Sequence, residues 1–243
     1  MAKNLITKNE KVCRQWYECS YKKEGMMAQR LYPNEELLRF FGINYFGKSA
    51  KTRKKIKVLE LGCGSCANLW MVAREGFDAC GIDLSRSGLG LGRKMLEKWG
   101  TKAKLTVGSI TKLPYAARSF DIVLDVLAAY CLPIEEFKVC LAETARVLKK
   151  GGKYFSFTLG TDSDAFTNFK PAKKIDEYTL DGIKRKTSPY FGNNFPIRFI
   201  SPGQYRKLLT ENGFKVVYLE TVTRTYRRFR EKLQYITIVG EKL

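Results

Sequence analysis

The stretch "KVLELGCGSCANLW", Lys57 to Trp70, decides the fold. Val58, Leu59 and Leu61 make an apolar run that ends in Gly62. Gly64 follows two residues later, and Cys66 stands where a glycine-rich loop often has a third glycine. A run apolar on both faces predicts a buried strand of a parallel sheet. The segment "CANLWMVAREG" predicts a helix closed by Gly76. Glycine at a strand-to-helix turn lets the backbone approach a ligand closely, because it has no Cβ. The helix start then adds free N–H groups. A cofactor loop, a CxxC redox or metal pair and a plain tight turn all remain open on this stretch alone.

The pattern continues outward. "FDACGID" predicts a second strand, and "LSRSGLGLGRKMLEKWG" a helix with Ser85 as N-cap and Gly100 as its stop. "AKLTVGS" and "SFDIVLDVLAAYC" supply two more strands. Pro133 opens the helix "IEEFKVCLAETARVLKK", and "GGKYFSFTLG" is a fifth strand. Strands alternating with helices predict an α/β, doubly wound, Rossmann-like, mostly parallel sheet. After an irregular, aromatic stretch comes the helix "SPGQYRKLLTENG", capped by Ser201 with Pro202 in its first turn. "FKVVYLETVTRTY" and "LQYITIVGEKL" follow with no helix between them. They predict an antiparallel pair that completes a seven-stranded sheet with an antiparallel terminal strand.

Before the core, "NEKVCRQWYECSYKK" has Val12, Trp16 and Cys19 at helical spacing, and Pro33-Asn34 starts a second helix, "NEELLRFFGINYFG". "KSAKTRKKIK" reads as a short charged linker. The boundaries expected are a helical extension over 1–54 and a main domain over 55–243. Within the latter, the ill-patterned 161–200 is expected to be a substrate-side insertion, since long irregular segments in compact domains are often binding loops.

The 243 residues suffice for a sizeable core, and 44% of them are hydrophobic. The N-terminus lacks the apolar centre of a signal peptide, and no run approaches the roughly 18 apolar residues of a membrane span. A cytoplasmic protein is expected. The seven cysteines, Cys13, Cys19, Cys63, Cys66, Cys80, Cys131 and Cys140, are odd in number and read as free thiols. The formal charge is +20, which favours anionic partners, and there is no histidine, which removes the commonest general base.

Two acids and the strand order decide the loop. Asp83 ends the second strand, 23 residues after Glu60. That spacing suits a carboxylate bonding both ribose hydroxyls at the switch point of the sheet. Glu60 lies just before the loop, where an anionic pyrophosphate would be repelled. A cofactor carrying an ammonium or sulfonium suits it better.

At these residues the chain resembles the class I S-adenosylmethionine-dependent methyltransferases of small-molecule type, over about residues 55–243. "VLELGCGSC" is similar to the family's first motif, "GIDLS" to its ribose loop, "VGSITKLPYAARSFDIVLDV" to its adenine loop and fourth strand, and "LAETARVLKKGGKYFSF" to the helix and strand that follow. The resemblance implies S-adenosylmethionine as cofactor. It implies that Glu60, Gly62 and Gly64 shape the methionine pocket and that Cys63 lines it through its backbone. Asp83 would hold the ribose, Leu84 would pack on the adenine, and Asp125 and Val126 would face cofactor and substrate. The family's adenine-loop acid corresponds to Ser109, a departure that a contact from Ile110 would have to offset. The cysteine pair then becomes incidental, since no second pair has zinc spacing.

The acceptor is less legible. Where many relatives have two histidines after the fourth strand, this chain has Tyr130-Cys131. Asp125, Tyr130 and Tyr190 are the residues expected to assist proton removal. An acceptor already ionised or an unprotonated amine would need little help. Arg198, Arg30, Lys170 and Lys173 are the cations expected to hold an anionic acceptor. The N-terminal segment is similar to the lid helices of small-molecule methyltransferases, which implies that Trp16, Tyr17 and Tyr21 close over the methionine end or line the acceptor pocket. The reading is therefore O- or N-methylation of a small, anionic or sugar-derived metabolite. An RNA or protein methyltransferase is the second reading, supported by the basic clusters "KSAKTRKK" and "TRTYRRFREK" but by no separate RNA-binding module. A non-catalytic cofactor-binding subunit is the third. No metal is expected, and the oligomeric state is left open.

Overall fold

The computed structural model describes residues 6–243, so the first five residues of the expected 1–54 extension lie outside the described residues. Nine strands form. β1 (Lys57–Leu61), β2 (Asp78–Asp83), β3 (Lys104–Val107), β4 (Phe120–Val126) and β5 (Leu148–Leu159) are followed by the two-residue β6 (Thr179–Leu180) and β7 (Ile197–Arg198), then β8 (Phe214–Tyr226) and β9 (Glu231–Lys242). Seven of them make one sheet in the order β3-β2-β1-β4-β5-β9-β8, while β6 and β7 pair separately. The first five run parallel, and β9 is antiparallel to both neighbours. This is the doubly wound sheet expected from the alternation, with its switch point between β1 and β4.

The helices are α1 (Lys8–Glu24), α2 (Glu35–Phe41), α3 (Ala50–Arg53), α4 (Leu69–Arg74), α5 (Arg86–Lys98), α6 (Ile134–Val147), α7 (Asp164–Thr167) and α8 (Pro202–Glu211). The stretch read as a charged linker contains α3, whose N-cap Ser49 accepts from the Thr52 N–H. Helix α4 starts later than its pattern suggested, because Cys66 has φ 62° and holds the preceding turn in the left-handed region. That conformation favours glycine and strains a residue with a Cβ.

The core fills both faces of the sheet. Val58, Leu59, Leu61, Ile122, Val123 and Leu124 are fully buried. The N-terminal helices join this core rather than standing apart. Phe40 packs on Phe155 with ring centroids 5.0 Å apart, and Phe41 meets Phe77 edge-on at 5.2 Å. Helix α1 lies across the C-terminal end of the parallel strands, against α5. Glu18 fastens it there, accepting from the Ser85 and Ser87 hydroxyls at 2.5 Å each. No helix among the described residues is long and apolar enough to cross a membrane.

Candidate functional site

The loop after β1 is bent by Gly62 and Gly64, with φ 57° and 45°. Neither could carry a side chain: a Cβ on Gly62 would strike Ala128, and one on Gly64 would strike the Tyr21 hydroxyl. Gly62 lines a cavity beneath α1. That cavity is lined by Tyr17, Tyr21, Gly62, Asp83, Leu84, Ile110 and Tyr130 among the residues expected from the sequence.

Asp83 closes β2 with its carboxylate turned to the loop. Oδ2 accepts from the Gly64 N–H at 2.9 Å, and Oδ1 accepts from the Ser85 N–H at 2.7 Å. Burial pushes this carboxyl above its ordinary range, against the effect of those N–H donors. Tyr21 stands beside it, its ring filling the space that side chains on Gly64 and Gly88 would occupy.

Glu60 is buried on β1, and burial lifts its carboxyl from the usual 4.5 to about 7. Oε1 accepts from Asn68 Nδ2 at 2.7 Å, while Oε2 has no hydrogen-bond partner. Asn68 Oδ1 in turn accepts from Arg30 at 3.0 Å and from the Asn34 N–H at 2.9 Å. Arg30 is therefore tied to the loop through an amide. An unpartnered buried carboxylate oxygen costs free energy unless a donor or cation meets it. A bare glycine turn with such an oxygen beside it, and a carboxylate at the next strand end, fits a nucleoside that carries a cationic amino-acid tail.

Comparison with known proteins agrees. The family described as methyltransferase domain matches residues 58–152. The phthiotriol/phenolphthiotriol dimycocerosates methyltransferase of Mycobacterium leprae is 28% identical over 167 residues, which cover 67% of this chain and 56% of the relative.

Residues 58–152 of the chain are a methyltransferase domain.

Another relative, the fatty-acid O-methyltransferase of Mycolicibacterium smegmatis, is 33% identical over 141 residues, 57% of this chain and 50% of the relative. The chain spans about half the length of these two methyltransferases. In fold it is similar to the 1,6-didemethyltoxoflavin N1-methyltransferase of Burkholderia thailandensis, solved with 1,6-didemethyltoxoflavin and S-adenosylhomocysteine. The TM-score is 0.67 at 16% identity, covering 100% of this chain and 93% of that one.

Within this methyltransferase several expected site residues stand elsewhere. Asp125 does not face the cavity. Its Oδ1 accepts from the Ala128 and Ala129 N–H groups at 3.1 and 3.0 Å, and its Oδ2 from Tyr154 at 3.0 Å and Ser156 at 3.2 Å. Four donors use up the carboxylate, so it shapes the turn after β4 and takes no proton from an acceptor. Val126 is buried in β4, and Leu127 and Ala128 line the cavity in its place. Arg198 is fully buried, donating to the Ala129 and Leu132 carbonyls at 2.7 and 2.6 Å with Phe137 against its guanidinium. It holds the Tyr130 turn and reaches no acceptor. Lys170 and Lys173 are exposed and do not line the cavity. The Cys63 amide is spent on the Ile82 carbonyl at 3.1 Å. Cys66 and burial together hold the Cys63 thiol well above its usual range, so it is a poor nucleophile.

Tyr130 forms a 2.8 Å hydrogen bond with Tyr17, and its ring lies 6.1 Å from that of Tyr190. Burial pushes Tyr130 well above its ordinary range and Tyr190 up to about 12. Both phenols stay protonated near neutral pH. Trp16 lies behind Tyr17, packed edge-on against Phe195 at 5.3 Å. The sequence reading missed Glu10, Cys13, Arg14, Cys131 and Leu132, which also line the cavity. The last two immediately follow Tyr130 and were within reach of its reading. Glu10 and Cys13 lie on the buried side of α1 and Arg14 is exposed at the cavity margin; Cys13 at helical spacing from Tyr17 was the available signal.

Proposed function

We propose that this methyltransferase methylates a carboxylate oxygen on a small acceptor with an apolar or aromatic body, forming a methyl ester. The observation that carries the reading is the state of the residues expected to remove a proton from the acceptor. Asp125 is saturated, Tyr130 and Tyr190 are held protonated, and the chain has no histidine. An aliphatic hydroxyl at the Tyr130 end would find none of these groups ready to take its proton, the Glu10 and Asp83 carboxylates lying at the nucleoside end of the cavity. A carboxylate is ionised at neutral pH and has a lone pair ready.

When bound, S-adenosylmethionine supplies an electrophilic methyl group on a sulfonium sulfur. Glu60 and the Gly62–Gly64 turn would hold its amino-acid end and Asp83 its ribose. The protein's task is then alignment and exclusion of water, which can supply much of a displacement's barrier reduction. Tyr17, Tyr130 and Leu132 wall the acceptor side, and Arg14 at the cavity margin offers a cation to an anionic acceptor. The O-methylating relative that acts on fatty acids supports the same chemistry. A ring-nitrogen acceptor is the second reading, favoured by the cluster of Trp16, Tyr17, Tyr130 and Phe195 with centroids 4.9 to 6.1 Å apart.

The test is transfer of radiolabelled methyl from S-adenosylmethionine to a panel of carboxylic acids, their matching alcohols, heteroaromatic amines and total RNA. Label in a product that mild alkali releases as methanol supports the ester. Transfer to an aliphatic alcohol, or to RNA alone, defeats it.

A further inference from the structure

The class I fold reads the purine of its cofactor beside the loop after β3, and in this chain that loop offers Ser109 where an acid was expected. The structure brings an acid there from elsewhere. Glu10, in the first turn of α1, is only 2% exposed, although it is an ionisable residue near the start of the chain. Its Oε1 accepts from the Ser109 hydroxyl, and its Oε2 accepts from Thr111 Oγ1 at 3.2 Å and from the Thr7 N–H at 2.9 Å. The Thr111 N–H completes the arrangement by donating to Ser109 Oγ at 2.9 Å. Glu10 lines the same cavity as Leu84, Gly108 and Ile110, the apolar walls of the purine end.

We infer that Glu10 of helix α1 is the residue that recognises the exocyclic amino group of the cofactor's adenine, with Ser109 and Thr111 as its positioning partners. The inference rests on the S-adenosylmethionine reading above. A carboxylate oxygen accepts more than one hydrogen bond, and Oε1 has a single protein donor. That leaves it able to accept from an amine on the cavity side. The side chain is held for this by geometry rather than chance. The capping box with Thr7 fixes its backbone and one oxygen, and the Ser109–Thr111 pair fixes the other. An acid this deeply buried without a cation against it is otherwise an expensive placement. The consequence is that the purine site is split between the sheet and α1, and is incomplete unless that helix is seated.

The test is binding of S-adenosylhomocysteine and of its 6-oxo (hypoxanthine) analogue, measured by calorimetry, which needs no turnover. The 6-amino group donates, whereas the 6-oxo group accepts. The wild type should therefore prefer the adenine compound strongly, by about tenfold or more, as sites built around one hydrogen bond do. Glu10→Gln keeps the shape and can donate to the 6-oxo group, so the preference should collapse to within about threefold, one charge-assisted bond being worth roughly tenfold. Combining it with Ser109→Asp should restore the preference. Thr7→Ala loosens the cap but spares the carboxylate, and should leave the ratio as in the wild type. A merely structural Glu10 would give the opposite result: Glu10→Gln would keep the wild-type ratio, or Thr7→Ala would lower it equally, and either overturns the inference. If the wild type binds neither compound, the cofactor reading falls and takes the inference with it. A wild type that binds both equally sinks the inference alone.

Discussion

Glu60→Gln is the most informative single change at the cofactor loop. Burial lifts the Glu60 carboxyl from 4.5 to about 7. At about 1.36 kcal/mol per pH unit, that difference corresponds to about 3 kcal/mol between its protonated and ionised forms in the folded protein. The sign follows from linkage. A carboxyl whose folded value lies above its unfolded value contributes full stability below pH 4.5, and that contribution is lost as the pH rises toward 7. Glutamine mimics the protonated acid and does not titrate. Its amide oxygen can accept from Asn68 Nδ2 as Glu60 Oε1 does, while its N–H pair takes the place of the unpartnered Oε2. Any cost of that N–H pair is constant with pH, so the slope is the measurement and not the offset. Urea unfolding at pH steps from 4 to 8 should show the variant gaining on the wild type by about 3 kcal/mol as the pH rises, most of it between 4.5 and 7. A gap that stays flat, or that closes with rising pH, refutes the burial argument. Binding supplies the second half. An ammonium held by Glu60 pulls its proton off, so at pH 6 S-adenosylhomocysteine should release about one proton from the wild type and none from Glu60→Gln, read from calorimetry in buffers of different ionisation enthalpy.

Asp83→Ala should weaken S-adenosylhomocysteine binding by about ten- to a hundredfold, the worth of two lost hydroxyl bonds, with circular dichroism unchanged. Unaltered affinity would remove the ribose assignment. Tyr21→Ala should speed association of the same ligand in stopped-flow fluorescence, because the phenol occupies the space over Gly64 beside Asp83; a slower association would show that Tyr21 guides entry instead. Asp125→Asn should lower unfolding stability by about 1–3 kcal/mol, since the amide nitrogen cannot accept from the donors now bonded to Asp125. Its pH–rate profile should match the wild type, and loss of an ionisation from that profile would reinstate Asp125 as a base.

The sheet was legible because β1, β2 and β4 are buried along most of their length and each leads into a helix, which leaves few topologies open. The cofactor end was legible for a related reason. Gly62, Gly64 and Asp83 are demanded by backbone shape at positions close in sequence, so their spacing carries the geometry. The acceptor end was not. Asp125 and Arg198 looked functional as ionisable residues beside the site, yet each carries out local backbone satisfaction: one gathers the N–H groups of the turn after β4, the other gathers its carbonyls. A sequence shows that a charge is present. Only the fold shows whether its hydrogen bonds are already taken.

The same reasoning bears on Ser109, a departure from the family pattern whose hydroxyl bonds an acid 99 residues earlier. Helix α1 has two functional ends, 11 residues apart, which at 1.5 Å per residue is about 16 Å. Its first turn is pinned by Glu10 to Ser109 and Thr111, and Thr7 and Asn9 bond Glu136 of α6 at 2.8 and 2.7 Å. Its last turns present Tyr21 to the glycine loop, where ribose would have to enter. The Tyr21 end has the weaker hold. Glu18 fastens it only through two serine hydroxyls and a long 3.3 Å contact from the Ser87 N–H, and its ion pair with Lys22 is exposed. The prediction is that cofactor entry displaces the Tyr21 end while the Glu10 end stays seated. Ser85→Ala with Ser87→Ala should consequently raise amide exchange in the second half of α1 and leave the first turn protected. Equal loosening of both halves would show that the helix opens as one rigid body.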